Sequence, residues 1–186
     1  MMILPIYLYG QPVLRKIAED IEPDYANLKQ LINNMFDTMY NAEGVGLAAP
    51  QVGLSIRLFV MDLSVLEDLP PDVEKRKRVF INAHIVERDG EETIKEEGCL
   101  SLPGIHENVS RKERIRIQYM DENLVAHDEI IEGYLARVIQ HEYDHIDGVM
   151  FVDHIAGIRK QLIKSKLNAL MKGKANCAYP VKAVRK

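Results

Sequence analysis

Residues 134–147 read YLARVIQHEYDHID, which combines regularly spaced apolar residues with two histidines. Gly148 follows it, so the apolar spacing predicts a helix that ends at this glycine. His141 and His145 are four residues apart, so both imidazoles share one helix face and can bind one ion. At about 100° per residue, Glu142 lies between this face and the apolar face. Burial there would raise its pKa towards the range of a general base.

Two histidines do not complete a catalytic metal site, which takes three protein ligands and one open position. Asp153 and His154 follow the helix, but neither has the spacing of the extended zinc-protease motif. The better candidate is upstream: Cys99 lies in EGCLSLPG, where two glycines and a proline allow a sharp turn around the sulfur. The alternative is a chance pentapeptide whose histidines are solvated.

The composition indicates one folded domain of 186 residues, 47% hydrophobic and 28% charged. Its two cysteines cannot build a disulfide framework, and we expect Cys177 to be either a small buried hydrophobic residue or an exposed free thiol. No apolar run reaches the roughly 20 residues of a membrane span. The start, MMILPIYLYG, lacks the basic residues of a signal peptide, so we expect a cytoplasmic location and no membrane contact.

The remaining patterns favour an α+β fold over a doubly wound sheet. Helical spacing of apolar residues predicts helices over 25–41 and 155–171. The glycine- and proline-rich residues 44–53 predict a shaped loop. Short β-like runs occupy 56–61, 79–86, 114–120 and 124–132. A polar surface excursion is expected at 64–77.

Three motifs resemble, in order and spacing, those of the peptide deformylases: GVGLAAPQ (44–51), EGCLS (97–101) and QHEYDH (140–145). The resemblance implies curved antiparallel sheets around a central metal-binding helix, with a C-terminal helix. We expect one catalytic domain over 1–172, including a C-terminal helix at 155–172, and a basic tail at 173–186. The implied activity removes the N-formyl group from formyl-methionine at the start of newly made polypeptides and releases formate.

The resemblance also implies the metal centre. Cys99, His141 and His145 would bind one divalent ion, with water as the fourth ligand. Iron(II) is the implied native metal and zinc a common substitute, while the ligand types alone also suit nickel or cobalt. Glu142 would accept a proton from water and deliver it to the departing amine.

The resemblance assigns two donors to the oxyanion that develops during the reaction: the side-chain amide of Gln51 and the backbone N–H of Leu100. A hydrogen bond that only shapes the loop is the alternative role for Gln51. Three backbone positions would pair with the substrate as an added strand: Val45, Gly46 and Gly98.

The methionine side chain would enter an apolar pocket, with Val45, Val138 and the His141 ring as candidate walls. Arg137, Lys95 and His106 fall near this pocket and depart from its expected apolar character. The resemblance further suggests that Asp144 pairs with Arg111 and so holds the metal helix against a strand. A solvent-facing Asp144 is the alternative.

Charge is divided unevenly along the chain: residues 1–153 carry a net −13, and residues 154–186 carry +9. The basic segment is either a solvated helix face with a frayed end or a surface that contacts ribosomal RNA, and no DNA partner is expected. Two other functions remain open at this point. A zinc endopeptidase would need a third ligand after His145, and a structural metal site in an RNA-binding module would need a fourth protein ligand.

Overall fold

The structure, a computed structural model, describes residues 2–66 and 77–183. The strands are β1 (Ile6–Tyr7), β2 (Gly46–Ala48), β3 (Leu58–Asp62), β4 (Lys77–Gly98), β5 (His106–Met120), β6 (Ala126–Glu132) and β7 (Val181–Lys182). The helices are α1 (Leu28–Asn41), α2 (Gly133–Ile146) and α3 (Gly157–Met171). Strands β2 to β6 form one antiparallel sheet in sequence order. The α+β prediction is confirmed.

Helix α2 lies at the centre of the domain. Its apolar residues pack in one cluster with Phe59 of β3, Phe80 of β4 and Ile115 of β5. Eleven of its 14 residues are buried, polar ones included, so α2 has no broad solvent-facing side. A helix buried in this way must pair its polar groups inside the protein.

Strands β4 and β5 are longer than the sequence predicted. The expected runs 79–86 and 114–120 lie within them, but the strands also include residues 87–98 and 106–113. Most side chains of 87–96 are charged or polar and exposed, so they show no alternation of buried and exposed residues. The pairing instead shows three register shifts, and bulges of this kind bend a strand. The extension brings Glu97 and Gly98 to helix α2.

A second, two-stranded sheet joins the two ends of the described chain. Strand β1 pairs with β7, and this pairing is parallel, unlike the antiparallel arrangement expected throughout. The pairing is possible because the chain turns back after α3. The described part of the predicted basic tail therefore packs on the body of the protein as far as residue 183.

Helix α3 lies within the predicted range 155–171, but its apolar side is narrower than expected. Ile163, Leu167 and Leu170 pack against the body, whereas Ile158 and Leu162 are exposed. The buried positions follow i, i+4 and i+7 spacing, which covers a single stripe of the helix.

Helix α1 begins three residues later than predicted. Most of the expected excursion at 64–77 lies outside the described residues. Within residues 2–66 and 77–183, each helix is too short or too polar to cross a bilayer.

Candidate metal centre and active site

Three side chains from two parts of the chain meet at one point. The candidate ligand atoms of Cys99, His141 and His145 all lie within 4.8 Å of one another. The sulfur of Cys99 is 3.2 Å from Nε2 of His145. Two side chains come from consecutive turns of α2, and the third comes from the turn that follows β4. The structure therefore brings together the ligand set that the sequence suggested.

The weaker candidates for a third ligand lie elsewhere. Asp153 forms an ion pair with Arg15, and Nε2 of His154 lies 2.8 Å from Oδ2 of Asp144. Both side chains therefore have partners outside the cluster of Cys99, His141 and His145. Among the described residues, no third ligand follows His145 in a group of this kind, so a zinc-protease arrangement has no support.

The cluster favours a bound cation. Burial alone would raise the pKa of Cys99, but the charge of His145 and hydrogen bonds with both histidines lower it to about 5. Burial alone would lower the pKa of His141, yet its interactions with Cys99 and Glu97 raise it well above the ordinary value. A thiolate forms readily here, and anions surround the imidazole. Both features stabilise a metal ion that replaces the protons.

The donor set also fits a divalent transition metal. Ligand atoms about 2.0 to 2.3 Å from one ion stand about 3.5 Å from each other in a tetrahedral site. The separation of 3.2 Å between Cys99 and His145 agrees with this spacing. Iron(II), zinc, nickel and cobalt all accept a thiolate with two imidazoles. The residues present therefore fit the metal.

Glu97 contacts the first histidine of the cluster, a role that was not predicted from the sequence. Its Oε2 lies 2.9 Å from Nδ1 of His141. The same carboxylate accepts hydrogen bonds from Arg111 at 2.7 and 2.9 Å and from Arg137 at 2.7 Å. Burial opposes ionisation, but Arg111 and His141 hold the pKa of Glu97 well below its usual range. A carboxylate in this place orients the imidazole for metal binding.

The signal for Glu97 was present in the sequence, because Glu97 is the first residue of the EGCLS motif. Its three partners could not be read from local spacing, since they lie on β5 and α2. Arg137, which seemed to put a charge in the pocket, is turned towards Glu97 and the backbone of Thr93 and Val109. Its charge is therefore compensated within the protein.

Arg111 also forms the expected pair with Asp144, at 2.8 Å. Both side chains are buried, and Asp144 contacts His154 as well. Burial raises the pKa of Asp144, but contacts with His154 and Arg111 outweigh it and lower the value. The pair joins α2 to β5, so the solvent-facing alternative is wrong.

Glu142 is the buried acid beside the cluster. Burial raises its pKa to about 7, against the opposing charges of His141 and His145. Within the described residues, its Oε2 is one of two buried side-chain polar atoms without a hydrogen-bond partner, the other being Nδ1 of His145. An unpaired carboxyl oxygen that titrates near neutrality can accept and release a proton.

Gly46 leaves room for this carboxyl group. A Cβ atom at position 46 would lie 2.4 Å from Oε1 of Glu142, which is too close for any real contact. Gly46 lies on β2, an edge strand of the sheet. Gly46 thus has no side chain at the point where β2 contacts Glu142. An extended peptide can bind along the edge of such a strand.

Gln51 lies between the loop and the ligands. Its Oε1 accepts a hydrogen bond from the backbone of Ala48 at 2.8 Å, which shapes the loop. Its Nε2 donates to Ser101 at 3.2 Å and to the Cys99 sulfur at 3.5 Å. The side chain therefore has both the loop-shaping bond and an amide N–H₂ aimed at the candidate metal centre.

A cavity of about 520 Å³ opens onto this centre. Its walls include most of the residues expected at the site: Val45, Gly46, Gln51, Gly98, Cys99, Leu100, Val138, His141 and Glu142. Tyr134, Arg137 and His106 also line it, and Nζ of Lys95 lies over the Tyr134 ring, 5.8 Å from its centroid. Residues 176–179 of the C-terminal tail also line the cavity, and the sequence did not predict this position for them.

Cys99, His141 and His145 can hold a metal ion beside Glu142, a buried acid that can move a proton. This arrangement indicates a metal-dependent hydrolase. Comparison with known proteins narrows this class. Residues 3–161 match the family model described as polypeptide deformylase. The chain belongs to the peptide deformylase family, whose members remove the N-formyl group from the first methionine of new polypeptides, and this chain is a hydrolase of that kind.

Individual relatives also support membership of this family. The peptide deformylase of Flavobacterium johnsoniae is 54% identical over 188 residues, which cover 97% of this chain and 96% of the relative. The crystal structure of a peptide deformylase from Legionella pneumophila is 38% identical with a TM-score of 0.81, covering 94% of this chain and 99% of that one. The enzyme from Thermotoga maritima is 42% identical with a TM-score of 0.75, covering 84% and 99%.

Proposed function

We propose that Cys99, His141 and His145 bind one iron(II) ion at which the formyl group is hydrolysed. The observation that carries this proposal is the convergence of the three ligand atoms beside the buried Glu142. When bound, the ion polarises a water molecule and the formyl oxygen. The preference for iron rests on the family resemblance, because zinc, nickel and cobalt also suit these ligands.

Glu142 carries the proton. Its carboxylate accepts a proton from the attacking water, and the carboxylic acid then delivers that proton to the amine nitrogen as the bond from carbon to nitrogen breaks. The products are formate and a peptide with a free amino group. A pKa of about 7 suits both steps, since the group must gain and lose the proton at neutral pH.

Gln51 and Leu100 stabilise the negative charge that develops on the formyl oxygen. The Gln51 amide is fixed by its bond from Ala48 and faces the Cys99 side of the cavity. Leu100 follows Cys99 directly, so its N–H belongs to the same turn. Donors held in place before the reaction lower its barrier because they need no reorganisation.

The peptide binds as an added strand between Val45–Gly46 and Gly98. Position 46 lies on the free edge of the sheet, and Gly98 ends β4 at the same cavity. The methionine side chain enters this cavity with Val45, Val138 and the His141 ring as its candidate walls, and Tyr134 also lines the cavity. Arg111 and Asp144 hold α2 against β5 and keep the histidines in position.

The basic face of α3 is proposed as a contact for the ribosome, where formylated chains emerge. Arg159 and Lys160 already contact Glu107 and Asp153 on the body. Lys164, Lys166 and Lys172 are exposed and remain available for phosphate groups. We place the enzyme in the cytoplasm as one catalytic domain over 1–172 followed by the basic tail.

Formate release tests the proposal. The protein, loaded anaerobically with iron(II), is incubated with formyl-Met-Ala-Ser and, separately, with the N-acetylated peptide. We expect formate from the first peptide and no cleavage of internal peptide bonds in either. Removal of the metal by a chelator should abolish activity, and re-addition should restore it. Cleavage of internal bonds without formate would contradict the proposal.

A further inference from the structure

The C-terminal part of the described chain returns to the catalytic cavity. Gly173 adopts a left-handed backbone conformation with φ 76°, and the N–H of Lys174 bonds to Ala169 O at 2.9 Å, which ends α3 and reverses the chain. Residues 176–179 then form part of the wall that also contains Cys99 and Glu142. The tail is therefore a component of the site's surroundings.

Backbone hydrogen bonds fix the tail immediately after this wall. Ile6 N donates to Pro180 O at 2.9 Å, and Leu8 N donates to Lys182 O at 3.0 Å. These bonds are part of the parallel pairing of β1 with β7. Residue 179 is thus held in place directly before the anchored strand.

Tyr179 connects the tail to the turn that contains Cys99. Its hydroxyl donates to the carbonyl oxygen of Leu100 at 2.8 Å. Its ring is partly buried and packs on the apolar cluster of α1 and β3. Burial raises the pKa of Tyr179, so the hydroxyl keeps its proton and remains a donor over the working pH range.

The Leu100 carbonyl that Tyr179 contacts belongs to the peptide unit between Leu100 and Ser101. The N–H group of the same unit makes a second hydrogen bond. The N–H of that unit, from Ser101, lies 3.4 Å from the Cys99 sulfur. The unit is therefore held by the tail at its oxygen and by the candidate ligand at its nitrogen. Rotation of this peptide unit would turn the Ser101 N–H away from the sulfur of Cys99.

We propose that Tyr179 is a positioning residue for the deformylation reaction: its hydroxyl fixes the peptide unit between Leu100 and Ser101, and thereby the Ser101 N–H that bonds to the sulfur of Cys99. The inference rests on the proposed function, since it takes Cys99 as a metal ligand. It assigns the tail a role inside the reaction, separate from any contact of α3 with the ribosome.

The test compares Tyr179→Phe with Tyr7→Phe. Both changes remove one hydroxyl and keep the ring, and both affect the same pair of chain ends. The Tyr7 hydroxyl contacts Lys182 at 2.9 Å on the outer side and does not touch Leu100. The iron(II) enzymes are assayed with formyl-Met-Ala-Ser for kcat and KM. The cobalt(II) enzymes are compared by the sulfur-to-metal charge-transfer absorption.

Loss of one hydrogen bond that acts on the transition state predicts a kcat about three- to tenfold lower for Tyr179→Phe, with KM nearly unchanged. Its charge-transfer band should shift, whereas Tyr7→Phe should match the wild type in both readouts. Equal behaviour of the two variants, or a change in KM alone, would overturn the inference. The cobalt band reports on Cys99 without turnover, so failure of the proposed function would be seen separately as a wild type that releases no formate.

Discussion

Glu97 Oε2 lies 2.9 Å from Nδ1 of His141, and this contact links the end of β4 to the metal-binding face of α2. The other oxygen of Glu97 accepts from Arg111 and Arg137. One carboxylate thus joins two arginines to a candidate ligand. Removing it affects both the charge around the metal and the orientation of the imidazole.

Glu97→Gln should weaken metal binding by about 10- to 100-fold, because a neutral amide orients the imidazole less well and donates no charge to it. Competition with a chromogenic chelator measures the affinity. Glu91→Gln is the matched control, since Glu91 is an exposed acid on the same strand. Equal affinity of Glu97→Gln and the control would show that the contact does not act on the metal.

Gly46→Ala should lower kcat/KM by about 100-fold or more while the protein stays folded. The added methyl carbon would stand 2.4 Å from Oε1 of Glu142, so the acid must move away from its position. The assay is formate release, with circular dichroism to verify folding. Gly157→Ala serves as the control because a Cβ atom there meets nothing within 4 Å. Full activity of Gly46→Ala would contradict the described packing.

Arg111→Met should lower the free energy of unfolding by about 3 to 5 kcal/mol, because it removes the cation that the buried Glu97 and Asp144 share and leaves them with only Arg137 and the histidines as partners. Urea denaturation measures the change. Arg114→Met removes a partly exposed arginine from the same strand, and its ion pairs should contribute about 0 to 1 kcal/mol. Similar losses for both variants would disprove the stabilising role of the buried pair.

Tyr40→Phe should cost more stability at neutral pH than in acid. The Tyr40 hydroxyl donates to Asp62 at 2.6 Å. Burial opposes ionisation of Asp62, but bonds from Ser64 and Tyr40 prevail and lower its pKa. A lowered carboxyl pKa gives stability that is present above the unfolded value of about 4 and is lost as the pH falls through the folded value.

The measurement is the difference in unfolding free energy between wild type and Tyr40→Phe at pH 6 and at pH 2.5. We expect a difference of about 1 kcal/mol at pH 6, since the bond is partly exposed, and a smaller one at pH 2.5. A difference that does not depend on pH would mean that the hydroxyl does not interact with the ionised carboxylate.

The sequence predicted α2 and the meeting of its two candidate ligands because helical spacing is a local property. Four residues separate His141 from His145 in any helix, and the buried face follows from the same period. The turn-forming residues around Cys99, and the similarity of its motif to a known family, then suggested the third candidate ligand. These parts of the site needed no knowledge of tertiary contacts.

The parts that were missed depend on contacts between distant segments. The extensions of β4 and β5 carry charged residues on both faces. Their strands are held together by backbone pairing, and their sequences lack the alternation of apolar residues from which a strand could be predicted. The partners of Glu97 come from two other elements. Tyr179 reaches Leu100 only because β7 pairs with β1, a pairing between the two ends of the described chain.

The most direct test of the account is the reaction of Glu142→Gln loaded with iron(II). We predict that this variant retains one metal ion per chain by elemental analysis and releases formate from formyl-Met-Ala-Ser about 10²- to 10⁴-fold more slowly than the wild type. Glu122→Gln, which changes an exposed acid in a turn, should keep full activity. Wild-type rates of formate release from metal-loaded Glu142→Gln would contradict the assignment of Glu142 as the group that carries the proton.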